Sequence, residues 1–276
     1  MKKILLGIVV VAFTAAATLV VSDILRGNDG PSSAIKIKLF SNVLQEDREA
    51  YIWLPRLYDS SRSYPVFYAV DGSSLGTPLA NDLAVLFNAG VVPEGIVVGI
   101  PNMTSENRES NLVPPFMRQD HTDNNSPQGN ADRFLDFIEK ELIPFVEGKY
   151  SSSSRAFCGN SRGGLAVMYS FIKKPSLFDS RFCLSTPFWR EDGVLIDSLR
   201  KFVSSDTSSS FFYLSVGENE TENMRNGHRE MTQTIEARND VLLNSFITPR
   251  AIHGDNALIS IPDGLVKWGE YVKGRK

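Results

Sequence analysis

The spacing of apolar residues along the chain differs between its first strands and the rest of the sequence. Residues 35–39 and 50–54 alternate apolar and polar positions with period two, which is typical of strands that have one face in water. These two segments predict an antiparallel pair. Later runs are apolar throughout, as in strands that a parallel sheet buries on both faces. These runs cover residues 65–70, 95–100, 156–158, 182–184 and 211–216.

Segments with helical spacing separate the apolar runs. In residues 131–145, for example, apolar side chains recur three and four positions apart, and charged side chains lie between them. Strands that alternate with helices predict right-handed crossovers and a mostly parallel, doubly wound α/β sheet with helices on both faces. The predicted helices cover residues 79–87, 131–145, 163–172, 221–238 and 265–272.

The beginning of the 276-residue chain has a different character. Lys2 and Lys3 precede an apolar run over residues 4–21 that has three alanines near its end, as in an export signal. The run is also almost long enough to cross a bilayer, so residues 1–26 are predicted to be a cleavable signal peptide or an uncleaved membrane anchor. A polar linker follows over residues 27–33, and residues 34–276 are predicted to form one α/β domain. The protein is therefore expected to be periplasmic or secreted, or tethered to a membrane.

The charge pattern limits the kinds of partner that the chain can have. The 29 Lys and Arg residues are scattered among 32 Asp and Glu residues, which gives a net charge of −3. Without a basic stripe, nucleic acid is not an expected partner. The three histidines lie far apart, and no H-x-x-x-H or C-x-x-C spacing occurs, so no metal or other cofactor is expected. A small molecule is the expected partner.

The two cysteines, Cys158 and Cys183, lie in two consecutive predicted strands. Small buried thiols are common in protein cores, whereas a disulfide is the alternative in an oxidising compartment. A bridge between adjacent parallel strands requires side-chain directions that a sequence does not supply. We therefore predict two buried thiols.

The candidate chemistry lies in residues 155–165, where a short apolar strand runs into Gly159-Asn160-Ser161-Arg162-Gly163 and then into a helical pattern. A serine in G-x-S-x-G, on a tight turn between strand and helix, presents its hydroxyl clear of the sheet. This context favours Ser161 as the nucleophile of an acyl transfer. The alternative is a glycine-rich helix start without chemistry.

A nucleophilic serine needs a base to accept its proton. His253 follows a strand-like stretch, residues 246–252, and precedes the last predicted helix. This is where the chain order serine, acid, histidine places the base. His121 lies before the nucleophile in a polar segment, and His228 lies inside a predicted helix. We therefore predict His253 as the base and keep the other two as alternatives.

The acid that orients the base is predicted at the end of the last buried strand. Glu218 and Glu220 follow residues 211–216 directly, so their carboxylates emerge at the sheet edge where Ser161 is expected. We predict Glu220, with Glu218 and then Asp255 as alternatives. Any of these carboxylates could instead stabilise the N-terminus of the helix that begins there.

The developing oxyanion is expected to bind two backbone N–H groups. One is that of Arg162, directly after the nucleophile, and the other comes from Gly72 or Ser73 in the loop after the third strand. The long polar segment 101–130 is predicted to arch over the carboxyl ends of the strands. A disordered insertion is the alternative for this segment.

Several segments together resemble the putative-esterase family of α/β-hydrolases, which includes siderophore (enterobactin) esterases, feruloyl esterases, S-formylglutathione hydrolases and mycolyltransferases. The resemblance extends from about Lys36 to the C-terminus, and its motifs are more specific than the serine turn alone. They are the segments YPVFYAVDG (64–72), Arg108 with LVP (112–114), FLDFIEKELIP (134–144), GNSRGG (159–164), STPFW (185–189), GENE (217–220) and His253.

The resemblance implies an α/β-hydrolase fold with Ser161 as nucleophile, Glu220 as acid and His253 as base. It also implies that the turn Pro187-Phe188-Trp189, after the sixth strand, lines the pocket for the acyl or alcohol group. Arg108 is predicted to bind substrate as well.

Arg162 departs from the family, where a small, aromatic or aliphatic residue follows the serine, so its guanidinium is predicted either to bind an anionic substrate or to brace a loop. We expect a serine esterase that acts through an acyl-enzyme, with a siderophore or aromatic-acid ester as the implied substrate. An acyltransferase and an inactive binding protein of the same fold are the alternatives.

Overall fold

A computed structural model describes residues 33–203 and 210–274. The predicted signal peptide or anchor lies outside these residues, as does the predicted linker apart from Ser33. No helix within the described part is long and apolar enough to cross a membrane.

The strands of the described residues form one eight-stranded sheet with the order β1-β2-β4-β3-β5-β6-β7-β8. The β1 strand pairs antiparallel with β2, and β2 pairs antiparallel with β4. From β4 onward all neighbours are parallel, which confirms the predicted sheet. The strands are β1 (Ile35–Ser41), β2 (Glu46–Trp53), β3 (Tyr64–Val70), β4 (Ile96–Ile100), β5 (Ser152–Asn160), β6 (Ser180–Leu184), β7 (Ser210–Gly217) and β8 (Val241–Thr248).

Helices cover both faces of the sheet, and each face has its own apolar core. One core packs α1 and α8 against the sheet through residues such as Leu79 and Trp268. The other core packs the helices from α3 to α7 against the opposite face. The helices are α1 (Gly72–Asn88), α2 (Ser105–Asn111), α3 (Ala131–Phe137), α4 (Ile143–Glu147), α5 (Arg162–Lys173), α6 (Arg190–Lys201), α7 (Glu222–Glu236) and α8 (Asn256–Gly274).

The predicted helix over residues 131–145 is present, with a local widening. A π-helical segment, Ile138–Leu142, joins α3 to α4 without a break. Pro144 lies at the start of α4 and has no N–H to donate to the carbonyl four residues earlier. A π turn accommodates such a lost hydrogen bond without ending the helix.

Cys158 and Cys183 are both free and buried, as predicted. Cys158 belongs to the core beneath α1 and α8, whereas Cys183 belongs to the core on the other face of the sheet. Because adjacent strands β5 and β6 pair Gly159 with Cys183, the two thiols point in opposite directions. A disulfide between them would require a change in the register of the sheet.

Several elements differ from the sequence predictions. The α1 helix begins at Gly72, ahead of the predicted 79–87, and α2 was not predicted. The α6 helix was not predicted, because Glu191, Asp192 and Gly193 all adopt left-handed backbone angles near its start and break the helical pattern. The β8 strand is Val241–Thr248, not residues 246–252. The α8 helix begins at Asn256 and has Pro262 inside it, which conceals its first turns from a prediction by pattern.

The segment 101–130 is ordered and holds α2, so the prediction of an arch is preferred over that of a disordered insertion. Its backbone folds back on itself through a bridge between Arg118 and Gln128. Glu109 binds Arg162, which lies at the carboxyl end of β5. Arg118 binds Glu191, which follows β6. These ion pairs place the segment over the carboxyl ends of the parallel strands.

Candidate active site

Ser161 lies on a strained turn between β5 and α5. Its backbone angles are φ 55° and ψ −121°, a combination that residues other than glycine adopt rarely and mainly at functional sites. The turn is tight enough that a Cβ at Gly159 would lie 2.4 Å from the carbonyl of Gly163. This tight turn holds the Ser161 side chain clear of the end of the sheet, as G-x-S-x-G predicts.

The structure brings Ser161, His253 and Glu220 together from three distant segments. Nε2 of His253 lies 3.0 Å from Oγ of Ser161, and Nδ1 lies 2.8 Å from Oε2 of Glu220. A carboxylate can only accept a hydrogen bond, so Nδ1 of the neutral imidazole carries the proton and donates this hydrogen bond to Glu220. Nε2 is then free to accept from the serine hydroxyl. This arrangement can remove a proton from Ser161.

The Glu220 carboxylate is enclosed and accepts three hydrogen bonds. Its side chain has no exposed surface. Oε1 accepts from the hydroxyl of Ser185 at 2.6 Å and from the backbone N–H of Gly217 at 2.8 Å. Burial raises the pKa of Glu220, but the hydrogen bonds from His253, Ser185 and Gly217 together lower this pKa below its ordinary value. Glu220 is therefore ionised and can orient His253.

A chain of buried polar side chains continues behind Glu220, and the sequence analysis did not find it. Nδ2 of Asn256 donates to the hydroxyls of Ser185 at 2.8 Å and of Ser215 at 3.1 Å. The Ser215 hydroxyl lies 2.8 Å from that of Ser260. All of these residues are buried. Ser185 has a φ of 46°, which is unusual for a residue with a side chain. The backbone conformation therefore also helps to fix the direction of the Ser185 side chain.

The alternative bases and acids have other partners. His121 packs edge-on against Trp189, and His228 is buried with Nε2 2.9 Å from the hydroxyl of Ser245. The Glu218 carboxylate accepts from the backbone N–H of Arg250, and that of Asp255 accepts from the N–H of Ile252. Of the candidates considered, only His253 and Glu220 join Ser161 in one hydrogen-bonded chain.

The predicted oxyanion donors lie at the first turns of two helices. Arg162 begins α5, and Gly72 and Ser73 begin α1, so their N–H groups precede the first hydrogen bonds inside each helix. Gly72 is necessary for a reason that the sequence analysis missed. A Cβ there would lie 2.3 Å from the backbone nitrogen of Ile100 on β4.

Arg108 fixes the turn before α1. Its Nε and NH2 donate to the two carboxylate oxygens of Asp71 at 2.7 and 2.8 Å, and Asn102 donates to the same carboxylate. Asp71 adopts left-handed backbone angles directly before Gly72. The structure thus indicates a role for Arg108 in positioning this turn, and its predicted contact with substrate stays a prediction.

The residues predicted to line the substrate pocket divide into two groups. Phe188 is only 1% exposed and belongs to a core cluster, so the predicted substrate contact does not fit its position. Trp189 is half-buried, and its indole N–H donates to the sulfur of Met224. Arg162 is also half-buried and pairs with Glu109. The ring of Trp189 and the guanidinium of Arg162 remain as candidate substrate contacts.

Within the described residues, no group of three or more His, Cys, Asp and Glu side chains is arranged to hold a metal ion.

The sheet order, the strained serine turn and the position of the histidine define an α/β-hydrolase. A family model described as "Putative esterase" matches residues 41–257. The chain belongs to this family and is a serine esterase with the α/β-hydrolase fold.

Individual proteins with similar sequences or folds were also found. An uncharacterized protein of Bacillus subtilis, YbbA, is 26% identical over 82% of this chain and 88% of its own length. A siderophore enterobactin esterase of Emericella nidulans is 31% identical over 52% of this chain, which spans about half of that relative, 53%. The solved structure of an IroE-like serine hydrolase from Shewanella oneidensis has a TM-score of 0.75 and 24% identity over 86% of this chain and 80% of that structure.

Proposed function

We propose that this protein is an exported serine esterase that cleaves a carboxylic ester through an acyl-enzyme, with Ser161 as nucleophile, His253 as base and Glu220 as orienting acid. The observation that carries the proposal is the continuous hydrogen-bonded chain from the buried Glu220 carboxylate through both imidazole nitrogens to the Ser161 hydroxyl. The strained backbone at Ser161 supports it.

In the first half of the reaction, Oγ of Ser161 attacks the ester carbonyl carbon while Nε2 of His253 takes the hydroxyl proton. The carbonyl oxygen becomes an oxyanion that accepts from the N–H of Arg162 and from that of Gly72 or Ser73. As the carbon–oxygen bond to the alcohol breaks, His253 gives its proton to the leaving alcohol. The acyl group remains on Ser161.

In the second half, His253 takes a proton from a water molecule that attacks the acyl-enzyme carbonyl. The bond to Ser161 breaks, the serine oxygen recovers its proton from His253, and the carboxylic acid leaves. Glu220 stays ionised throughout, because hydrogen bonds lower its pKa, and it stabilises the imidazolium in both halves.

The substrate proposal is an ester of the siderophore or aromatic-acid type. The similarity to a relative named a siderophore enterobactin esterase supports it, as does the half-buried Trp189, which lies on the turn after β6. Export is proposed from the basic and apolar N-terminal residues alone.

The experiment follows 4-nitrophenyl acetate hydrolysis by the body of the protein from Ala34 onward, with intact mass measured on samples quenched in acid during turnover. We expect steady hydrolysis and a fraction of protein that is heavier by one acetyl group. The Ser161→Ala variant should lose both, whereas Ser198→Ala, which changes a serine on α6, should keep both. Undiminished hydrolysis by Ser161→Ala would exclude this serine as the nucleophile.

A further inference from the structure

Two arginines connect the turn after β6 to the segment 101–130. Nε and NH2 of Arg118 donate to the carboxylate of Glu191, with a shortest distance of 3.0 Å. In the opposite direction, NH2 of Arg190 donates to the backbone carbonyl oxygens of residue 118 at 2.5 Å and of Gln119 at 3.2 Å. These contacts hold Arg190 against the same segment that binds Arg162 through Glu109.

Arg190 is a buried cation without a carboxylate partner. Its residue surface is 2% exposed, and among the described residues no carboxylate forms a hydrogen bond with it. Its Nε is buried and has no hydrogen-bond partner. Burial and the nearby Arg162 guanidinium lower the pKa of Arg190, and the charges of Glu191 and Asp120 oppose this effect. A buried charge that is only partly compensated favours an additional anion nearby.

Arg162 pairs with a partly exposed carboxylate, which a carboxylate of the substrate could replace. Within the part of the chain that the structure describes, its one ion pair joins NH1 to Oε1 of Glu109 at 2.9 Å, and the Glu109 side chain is 41% exposed. Exposed pairs of this kind contribute little to stability. Since Arg162 directly follows Ser161, its guanidinium is a few bonds away from a proposed oxyanion donor. The guanidinium therefore belongs to the residue next to the one that would carry the acyl group.

We propose that Arg162 and Arg190 form a subsite for a carboxylate carried by the acyl part of the ester, so that the enzyme prefers esters of anionic acids. This inference rests on the proposed esterase function. A carboxylate would accept from the free Nε–H of Arg190 and from the guanidinium of Arg162, whose planar fork suits two carboxylate oxygens. It would also supply the negative charge that the buried Arg190 lacks.

The test compares two aromatic esters of matched shape, mono-4-nitrophenyl terephthalate, whose acyl group carries a carboxylate, and 4-nitrophenyl 4-carbamoylbenzoate, whose acyl group is neutral. The measured quantity is the ratio of their kcat/KM values. The variants Arg190→Met and Arg162→Met should each reduce this ratio by about 10-fold or more, which corresponds to the loss of a hydrogen bond between charged groups. Arg118→Met, which removes a charge from the same connection and leaves Arg190 in place, should keep the ratio of the unmodified protein.

Circular dichroism determines whether each variant is folded. If Arg190→Met does not fold, Arg162→Met at a half-buried position carries the test alone. Ratios that are equal in the unmodified protein and both variants, with turnover of the neutral ester intact, would overturn the subsite and leave the esterase proposal standing. If the unmodified protein hydrolyses neither ester, the esterase proposal itself would be overturned.

Discussion

The Ser185 hydroxyl donates a 2.6 Å hydrogen bond to Oε1 of Glu220, on the carboxylate that binds His253 through its other oxygen. This bond is buried, and Nδ2 of Asn256 donates a second hydrogen bond to the same Ser185 hydroxyl. The two oxygens of one carboxylate therefore have separate tasks. Oε2 orients the imidazole, and Oε1 fixes the carboxylate against the end of the sheet.

Replacing Ser185 with alanine should reduce kcat by about 10-fold, because a hydrogen bond to a charged group is lost and the carboxylate gains rotational freedom. KM should change little, since Ser185 is buried away from substrate. The measurement is steady-state hydrolysis of a neutral 4-nitrophenyl ester. The control is Ser215→Ala, which removes another partner of Asn256 and leaves Glu220 untouched. Equal losses in the two variants would contradict a specific role for Ser185.

Replacing Arg108 with methionine should also reduce kcat by about 10-fold, because the charged pair with Asp71 holds the turn that precedes the proposed oxyanion donors. Arg62→Met is a matched control, since it removes an exposed arginine that pairs with Glu94 and lies outside the site. Its effect on unfolding free energy should stay within about 1 kcal/mol, with kcat unchanged. Full activity of Arg108→Met would show that the turn keeps its shape without the pair.

The stability of the protein should decrease on acidification because of His228. Burial lowers the pKa of His228 from 6.5 to about 4, so the unfolded chain takes up this proton at higher pH than the folded one. The unfolding free energy should therefore fall between pH 6.5 and pH 4, by about 3 kcal/mol from this residue.

Urea unfolding at several pH values measures this effect. His228→Gln removes the titrating group, so its stability should depend less steeply on pH in this interval than that of the unmodified protein. Other groups titrate alike in both proteins, and the difference between the two slopes isolates His228. Parallel slopes would contradict the buried, neutral state of the imidazole.

Cys158 and Cys183 should remain reduced thiols in an oxidising buffer, because they lie in cores on opposite faces of the sheet. Burial raises the pKa of both thiols, which also suppresses the reactive thiolate. A thiol reagent such as dithionitrobenzoate should find no reactive cysteine in the native protein. It should find both cysteines after denaturation without a reductant. No free thiol in the denatured protein would contradict the register of β5 and β6.

The succession of strands and helices, and the three residues that meet in one hydrogen-bonded chain, could be predicted from the sequence because each has a local pattern. Ser161 lies in a strand, turn and helix with a distinctive glycine spacing, and Glu220 and His253 follow the ends of strands. Ser185 and Asn256 have no such pattern. They become neighbours only because α8 packs against the sheet, where Asn256 reaches Ser185 across 71 residues.

Other differences have equally specific causes. The role of Arg108 depends on a partner 37 residues away, and no periodicity reports such a contact. Phe188 follows the turn after β6, but its burial is decided by how α5, α6 and α7 pack on one face of the sheet. The start of α6 is concealed by Glu191 and Asp192, which adopt left-handed backbone angles that residues with a side chain adopt rarely.

The most direct measurement is peptide mapping by mass spectrometry after reaction with a fluorophosphonate, which phosphonylates activated serines. We predict one phosphonyl group per chain, located on Ser161, with no adduct in Ser161→Ala and much slower labelling in His253→Ala. Absence of labelling in the folded protein, or an adduct on a different serine, would contradict an activated Ser161.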